Sequence, residues 1–425
     1  MMAWVRRTAF WVLDALRGRK IKTHYDDIVS RFDGDAEDTD RLTDVLSYAI
    51  AHVPFYREIE RPDLSLFPVM SKPLYKQNGA ACFSDEYVDR LDELYKASTS
   101  GSTGTPLTVY QDADKRRRLR ADLIHAHESV GWRLGDHYFF IRNWVSNYKQ
   151  SPLKSFAQAV TNISITEFDD AKKAWLCEQI KKHKNCVIFG YASSVCDFMR
   201  YVKRAGVDTS AFRIKLIVCD SDELTVANKR ELEKTFSCPV INRYDNEENG
   251  LLAISMPYSE AMFVNHPSIH VELLHPDRDE PVAPGEIGRV VVTDLYNHAM
   301  PLIRYDIGDF AVSPDPSGRI RVLSEFAGRK ADCIYAPDGR MVSSVAVSGI
   351  TEVFDTVVKY QMVQESRDTY TFQYVGTLSE ADLATLGGRF RDALGEDATV
   401  TYRNVEDIPV GANGKYKPLV NRYKA

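Results

Sequence analysis

The chain has 425 residues, 44% apolar and 27% charged, enough to bury a sizeable core in two or three domains and far from the composition of a disordered chain. Its 60 acidic and 54 basic side chains leave a net charge of -6, so no overall positive field draws it to nucleic acid, and no nucleic acid is expected as a partner. Seven cysteines without a CxxC pair, together with the lack of any long apolar run, predict a reduced, cytoplasmic protein with neither signal peptide nor membrane span.

Near the start, Trp4, Val5, Trp11, Val12, Ala15 and Leu16 recur at one-face helical spacing, with Arg6, Arg7, Asp14 and Arg17 opposite. Residues 1–22 therefore read as an amphipathic basic helix. Two uses compete. One is a peripheral membrane contact, favoured by the tryptophans and by Arg17, Arg19, Lys20 and Lys22. The other is docking on the rest of the protein, the commoner fate of such a stripe. A second helical pattern, from Asp38 to Ile59, carries Leu42, Val45, Leu46, Ala49 and Ile50 and ends near Pro54. The basic run from Asp114 to Arg120 reads as a solvated helix face.

Between Tyr138 and Leu252, short apolar runs (YFFI, CVIF, IKLIVC) alternate with charged helical stretches, Ala171 to Lys184 and Ser194 to Ala205 among them. This alternation predicts an α/β sheet with helices on its faces. From Val290 onward the strand-like runs shorten and turn pairs such as Asp338-Gly339 and Asn413-Gly414 appear. The expected architecture is a large α/β domain over residues 1–328, with mixed sheets and helices, followed by a small α+β domain over 329–425.

The densest chemical signal is Thr99-Ser100-Gly101-Ser102-Thr103-Gly104-Thr105-Pro106. Glycines let backbone N–H groups approach an anion, and hydroxyls add donors, so the loop suits a phosphate. Composition alone equally fits a flexible Ser/Gly linker. A Walker loop is absent.

TSGSTGTP resembles the phosphate-loop signature of the adenylate-forming, AMP-binding ligase superfamily, and further matches follow in order. Tyr244-Asp245-Asn246-Glu247-Glu248 resembles its Tyr-Gly-x-Thr-Glu segment, and Tyr305-Asp306-Ile307-Gly308-Asp309 its Tyr-x-Thr-Gly-Asp. Gly328-Arg329 with Asp332 is similar to its interdomain hinge, and Gly414-Lys415 to its catalytic lysine loop. The segments LSYAIAHVPFYRE and FPVMSKPLYKQN resemble the phenylacetate-coenzyme A ligase branch, especially its capsular-polysaccharide relatives. The resemblance spans nearly the whole chain.

It implies the adenylate-forming enzyme fold with a mobile C-terminal domain, and an enzyme that activates a carboxylic acid with ATP as acyl-AMP, releases pyrophosphate and passes the acyl group to an amine, hydroxyl or thiol. Ser100, Gly101, Ser102, Thr103, Gly104 and Thr105 would hold the β and γ phosphates, Tyr244 would line the nucleotide site, and Asp309 would accept from the ribose hydroxyls. Glu248 would bind Mg²⁺ and act in catalysis, Arg329 would lie near the ribose or phosphates, and Lys415 would bridge the carboxylate and the α-phosphate. Coenzyme A as co-substrate and a stand-alone carrier protein as partner both fit, as does a role in capsule or envelope polysaccharide synthesis. An aryl-acid coenzyme A ligase and a degenerate nucleotide-binding scaffold are the alternatives.

The chain also departs from the pattern. Asp245 and Glu247 replace Gly and Thr, adding charge where a hydroxyl would meet the AMP phosphate, and Ile307 replaces a threonine. Where some relatives carry a zinc cluster, Ser255-Met256 and Met262-Phe263 stand instead, so no zinc is expected. His266 and His270 read as surface or packing residues. Pocket walls are expected from Gly190 to Ser194 and Cys219 to Leu224, with Tyr191 a candidate wall residue whose plainer reading is a core tyrosine.

Overall fold

The computed structural model describes residues 2–33, 39–98, 107–142, 158–316, 318–329, 333–342, 344–351, 353–354, 356–409 and 417–423. Three helices open the chain: α1 (Met2–Leu16), α2 (Lys20–Asp33) and α3 (Thr39–His52). The sequence reading of one helix over residues 1–22 thus becomes two, broken at Gly18-Arg19. Both residues have positive φ there, and the buried Asp14 carboxylate accepts from the backbone N–H groups of Ile21 and Lys22 to start the second helix. Next come β1 (Met70–Ser71), α4 (Lys72–Asn78), the hairpin β2 (Tyr95–Ser98) and β3 (Thr108–Gln111), and α5 (Ala113–Ser129), which Asp112 caps.

The expected alternation follows: β4 (Tyr138–Arg142), β5 (Val160–Ser164), α6 (Asp170–Lys182), β6 (Cys186–Tyr191), α7 (Ala192–Arg204), β7 (Ile214–Asp220), α8 (Val226–Phe236) and β8 (Val240–Asn246). Strands β5, β4, β6, β7 and β8 lie side by side in parallel, and β9 (Gly250–Ser255) and β10 (Met262–Val264) extend the sheet antiparallel. β6 and β7 are buried on both faces, as parallel strands between helix layers should be. One core, including Phe139, Ile188, Phe198 and Ile217, lies on one side of the sheet, and a second, with Val187, Phe189, Val218 and Ile241, lies on the other.

A second sheet holds β11 (Ile269–Leu274), β12 (Ile287–Asp294) and β13 (Tyr305–Val312), with β1 parallel to β13. The two-residue β14 (Val322–Leu323) joins the first sheet beside β10, while β15 (Glu325–Arg329) joins β13.

The last part of the chain builds its own core. It contains β16 (Ile334–Tyr335), β17 (Met341–Val342), α9 (Ser344–Thr351), β18 (Val357–Gln364), β19 (Thr369–Gly376), α10 (Glu380–Leu394), β20 (Thr399–Asn404) and β21 (Leu419–Asn421). Its sheet runs in the order β20, β19, β18, β21, and Tyr370, Phe372, Leu386 and Phe390 pack beneath it. Ser379 and Asp382 form a reciprocal capping box at the start of α10.

Candidate active site

A cleft of about 1740 Å³ opens at the carboxyl ends of β6, β7 and β8, the side on which open α/β sheets bind ligands. Its lining continues onto β13, β15 and the C-terminal unit through Ser344, Ser348 and Lys417. The Ser348 hydroxyl donates to Glu223 of the large unit at 3.2 Å, so the two units meet at the cleft.

Two carboxylates in this lining are each held by a phenol. Buried Asp309 accepts from the Tyr244 hydroxyl at 2.6 Å, and the Tyr244 ring packs against Phe326 on β15, with centroids 4.7 Å apart. Buried Glu248 accepts from the Tyr305 hydroxyl at 3.1 Å. Burial and the neighbouring Glu248 charge push the Tyr305 phenol far above its ordinary range, so it stays protonated and remains a donor. The turn that carries Glu248 is fixed from behind. Gln111 donates to the carbonyls of Glu247 and Glu248, and the Lys115 ammonium to that of Asn249 at 2.9 Å.

Deeper along β8 lies an ionic cluster. The Arg243 guanidinium donates to Asp220 and, at 2.9 Å, pairs with Asp245, while its other nitrogen stands 3.3 Å from His127 Nε2. Burial raises the Asp245 carboxyl to about 6 against the pull of Arg243, and burial together with Arg243 holds the His127 imidazole well below its usual range. Two carboxylates thus share one guanidinium beside a neutral histidine. Trp132, Tyr138, Phe140, Phe189 and Tyr191 form aromatic walls around them. Helix α5, which carries His127, also presents Arg116, Arg117 and Arg120 to the cleft.

Comparison with known proteins places this architecture. Residues 334–422 match the family model described as the CapK C-terminal domain. The chain is 24% identical to Protein CapK of Staphylococcus aureus, over 79% of this chain and 76% of that one. It is 23% identical to phenylacetate-coenzyme A ligase of Escherichia coli K12, over 70% and 71%. Among solved structures, 2-hydroxyisobutyryl-CoA ligase in the postadenylation state with its 2-HIB-AMP superposes with a TM-score of 0.70 at 18% identity, covering 90% of this chain and 88% of that one. The same ligase in the thioesterification state, with 2-HIB-AMP and CoA, gives 0.56 at 19% identity, covering 91% and 89%. The fold is that of the adenylate-forming ligases.

Within that ligase fold, the residues expected at the nucleotide site fall as follows. Tyr244, Glu248 and Asp309 line one cleft. Arg329 pairs through its backbone directly across from Asp309 in the β13–β15 ladder. Ahead of it, Gly328 has φ +84°, and a Cβ there would stand 2.6 Å from the Ser344 hydroxyl oxygen, so the position favours glycine. The phosphate-loop residues Ser100 to Thr105 and the lysine Lys415 lie outside the described residues. Ser98 and Lys417, which flank those two segments, both line the cleft.

Several sequence expectations need correction. Tyr191 is a half-buried wall of the cleft and not a core tyrosine. Lys417, which carried no expectation, is a half-buried cleft residue. The run from Asp114 to Arg120 is not a solvated face: Lys115 and Arg118 are fully buried in ion pairs with Asp294 and Asp27, and Arg116, Arg117 and Arg120 face the cleft. Glu247 is exposed, so solvent screens its charge, and the Asp245 charge is met by Arg243. The Arg243 cluster was missed altogether. Its one local sign was an arginine directly before Tyr244 inside an apolar strand pattern.

Proposed function

We propose that this chain is an ATP-dependent carboxylate ligase that forms an acyl-adenylate and hands the acyl group to an acceptor. The observation that carries the reading is convergence. Ser98, from which the hydroxyl-rich loop departs, and Lys417, two residues beyond Lys415, line the same cleft as Tyr244, Glu248 and Asp309.

In this reading a carboxylate oxygen attacks the α-phosphorus of ATP, the bond to the β-phosphate breaks, and pyrophosphate leaves. Asp309, oriented by Tyr244, accepts from the ribose hydroxyls. Ser100 to Thr105 donate to the β and γ phosphates, and Lys415 meets the negative charge that grows between carboxylate and phosphate. Arg329 serves the nucleotide from the strand beside Asp309. Glu248 fits Mg²⁺, which commonly takes one or two carboxylates and completes its shell with phosphate oxygens and water. When bound, the ion offsets phosphate charge.

The acceptor then attacks the acyl carbonyl and AMP leaves. Coenzyme A as acceptor is supported by the relatives that are coenzyme A ligases, and a capsule-related acceptor by the 24% likeness to CapK. A hinge at residues 328 and 329 would make the C-terminal unit the moving part. The better superposition on the postadenylation state than on the thioesterification state of one ligase supports two arrangements of the same two units.

The acid is expected to carry a hydrogen-bond donor or a cationic group. Asp220 and Asp245, which share Arg243, offer acceptors at the aromatic box that a donor on the acid would meet and a bare hydrocarbon ring would not. A panel of acids in an ATP-pyrophosphate exchange assay tests this. Amino- or hydroxy-substituted acids should drive exchange, and a preference for plain phenylacetate would point to the aryl-acid coenzyme A ligase instead.

A further inference from the structure

The helix α1 turns a mixed face inward, on which Arg6, Arg7, Phe10 and Trp11 are half-buried. Asp14 is buried and caps α2, Arg7 reaches Glu128 on α5 at 3.8 Å, and the Trp11 ring meets Tyr25 edge-on at 5.7 Å. At the helix start, a Cβ on Gly135 would stand 2.4 Å from the Ala3 carbonyl oxygen, so the backbone is pressed down on a glycine.

The apolar side is left in solvent. Trp4, Val5, Ala9, Val12, Leu13 and Leu16 follow one another at i, i+1, i+5, i+8, i+9 and i+12 and all are exposed, Trp4 by 69% and Leu16 by 79%. A surface helix normally buries such a stripe, and a contiguous exposed apolar face marks an interaction surface.

Charge indicates what covers it. Between residues 3 and 20 the sole carboxylate is Asp14, which is buried and already engaged, whereas Arg17, Arg19 and Lys20 stand exposed at the end of the stripe. That rim is positive on a chain whose net charge is -6. At 15 residues and about 1.5 Å per residue, α1 is too short to span a bilayer but suits a helix lying in the interface. Among the described residues, no helix is long and apolar enough to cross a membrane.

We propose that the outer face of α1, with Arg17, Arg19 and Lys20, docks this protein on the surface of an anionic lipid bilayer. The surface adjoins the cleft: Ile21, the next residue, lines it together with Arg116 and Arg120. A docked molecule would hold that part of the cleft near the lipid headgroups.

The test is flotation of the full chain with phosphatidylcholine vesicles, with and without phosphatidylglycerol, alongside Leu13→Glu/Leu16→Glu and Arg17→Gln/Arg19→Gln/Lys20→Gln variants. All substituted side chains are exposed, so melting curves and ATP binding should match the parent. The expected result is flotation with phosphatidylglycerol vesicles that weakens with salt, falls tenfold or more in the glutamate variant, and drops roughly fivefold for each basic residue removed. Absence of flotation at low salt, or equal flotation of parent and glutamate variant, would overturn the proposal. So would a lipid-free dimer, seen by analytical ultracentrifugation, that the glutamate variant splits, since a second copy would then cover the face.

Discussion

At the scale of single residues, two carboxylates of the cleft are held by phenols. Tyr244 fixes one oxygen of Asp309, the residue proposed to hold the ribose, and a hydrogen bond to a charged group is worth about 1.5–3 kcal/mol. Tyr244→Phe is therefore expected to weaken ATP binding about tenfold or more, with the fold intact, measured by isothermal titration. An unchanged dissociation constant would remove Asp309 from the nucleotide site. Motif order pointed to Asp309 and Glu248, which line one cleft, but it did not link the phenols paired with them to them. Tyr305 lies 57 positions from Glu248 and Tyr244 lies 65 from Asp309, separations that the strands close and local patterns do not record. Arg243 was illegible for the same reason, since Asp220 and His127 arrive from other elements.

A second residue-scale prediction concerns acid stability. The His137 ring stacks on His183 at 3.9 Å, and burial, with the His183 and Arg6 charges, lowers it from 6.5 to about 4. An unfolded chain takes up this proton near pH 6.5 and the folded one only near 4, so the unfolded state binds more protons in between. Stability therefore falls as pH drops from about 6.5 to about 4. The melting temperature of the parent should decline over that window, and His137→Asn should flatten the decline. An identical slope in both would show that other groups carry it.

At the scale of elements, α5 explains how a charged run becomes a structural strut. Lys115 meets Asp294 at 2.6 Å with both side chains fully buried, and Arg118 joins Asp27, Ser268 and the Pro267 carbonyl. Removing one partner of a buried pair leaves an uncompensated charge, so Lys115→Met should cost about 3–5 kcal/mol in denaturant unfolding. Adding Asp294→Asn, which keeps an oxygen for capping Tyr296 and Asn297, should recover part of that loss. No recovery would mean that the lysine acts by packing alone. The sequence showed five charged residues in succession, and a solvated face was the economical reading because the acids that neutralise Lys115 and Arg118 lie far away in the chain. Helices and strands with strong periodicity, such as α6, α7, β6 and β7, were legible nearly to their ends. Of the two-residue strands, β14 and β16 fall inside short apolar runs of the sequence after Val290, whereas β17 does not, because pairing and not propensity makes it.

At the scale of the whole molecule, the alternation of strands and helices gave the large α/β unit, and the change to short strands gave the smaller one. The seating of α1 was beyond reach, since a stripe reveals that one side is apolar but not which side the protein covers. Both units contribute to one cleft, and the two segments carrying the loop and the lysine adjoin it at Ser98 and Lys417. That convergence is the central claim. Its most direct test is acid-dependent exchange of labelled pyrophosphate into ATP, run on the parent and on Lys415→Ala. The account predicts exchange with at least one carboxylic acid, falling by a factor of about 10²–10³ in the variant while ATP still binds. Near-normal exchange in Lys415→Ala, or none in the parent with any acid although ATP binds, would contradict it.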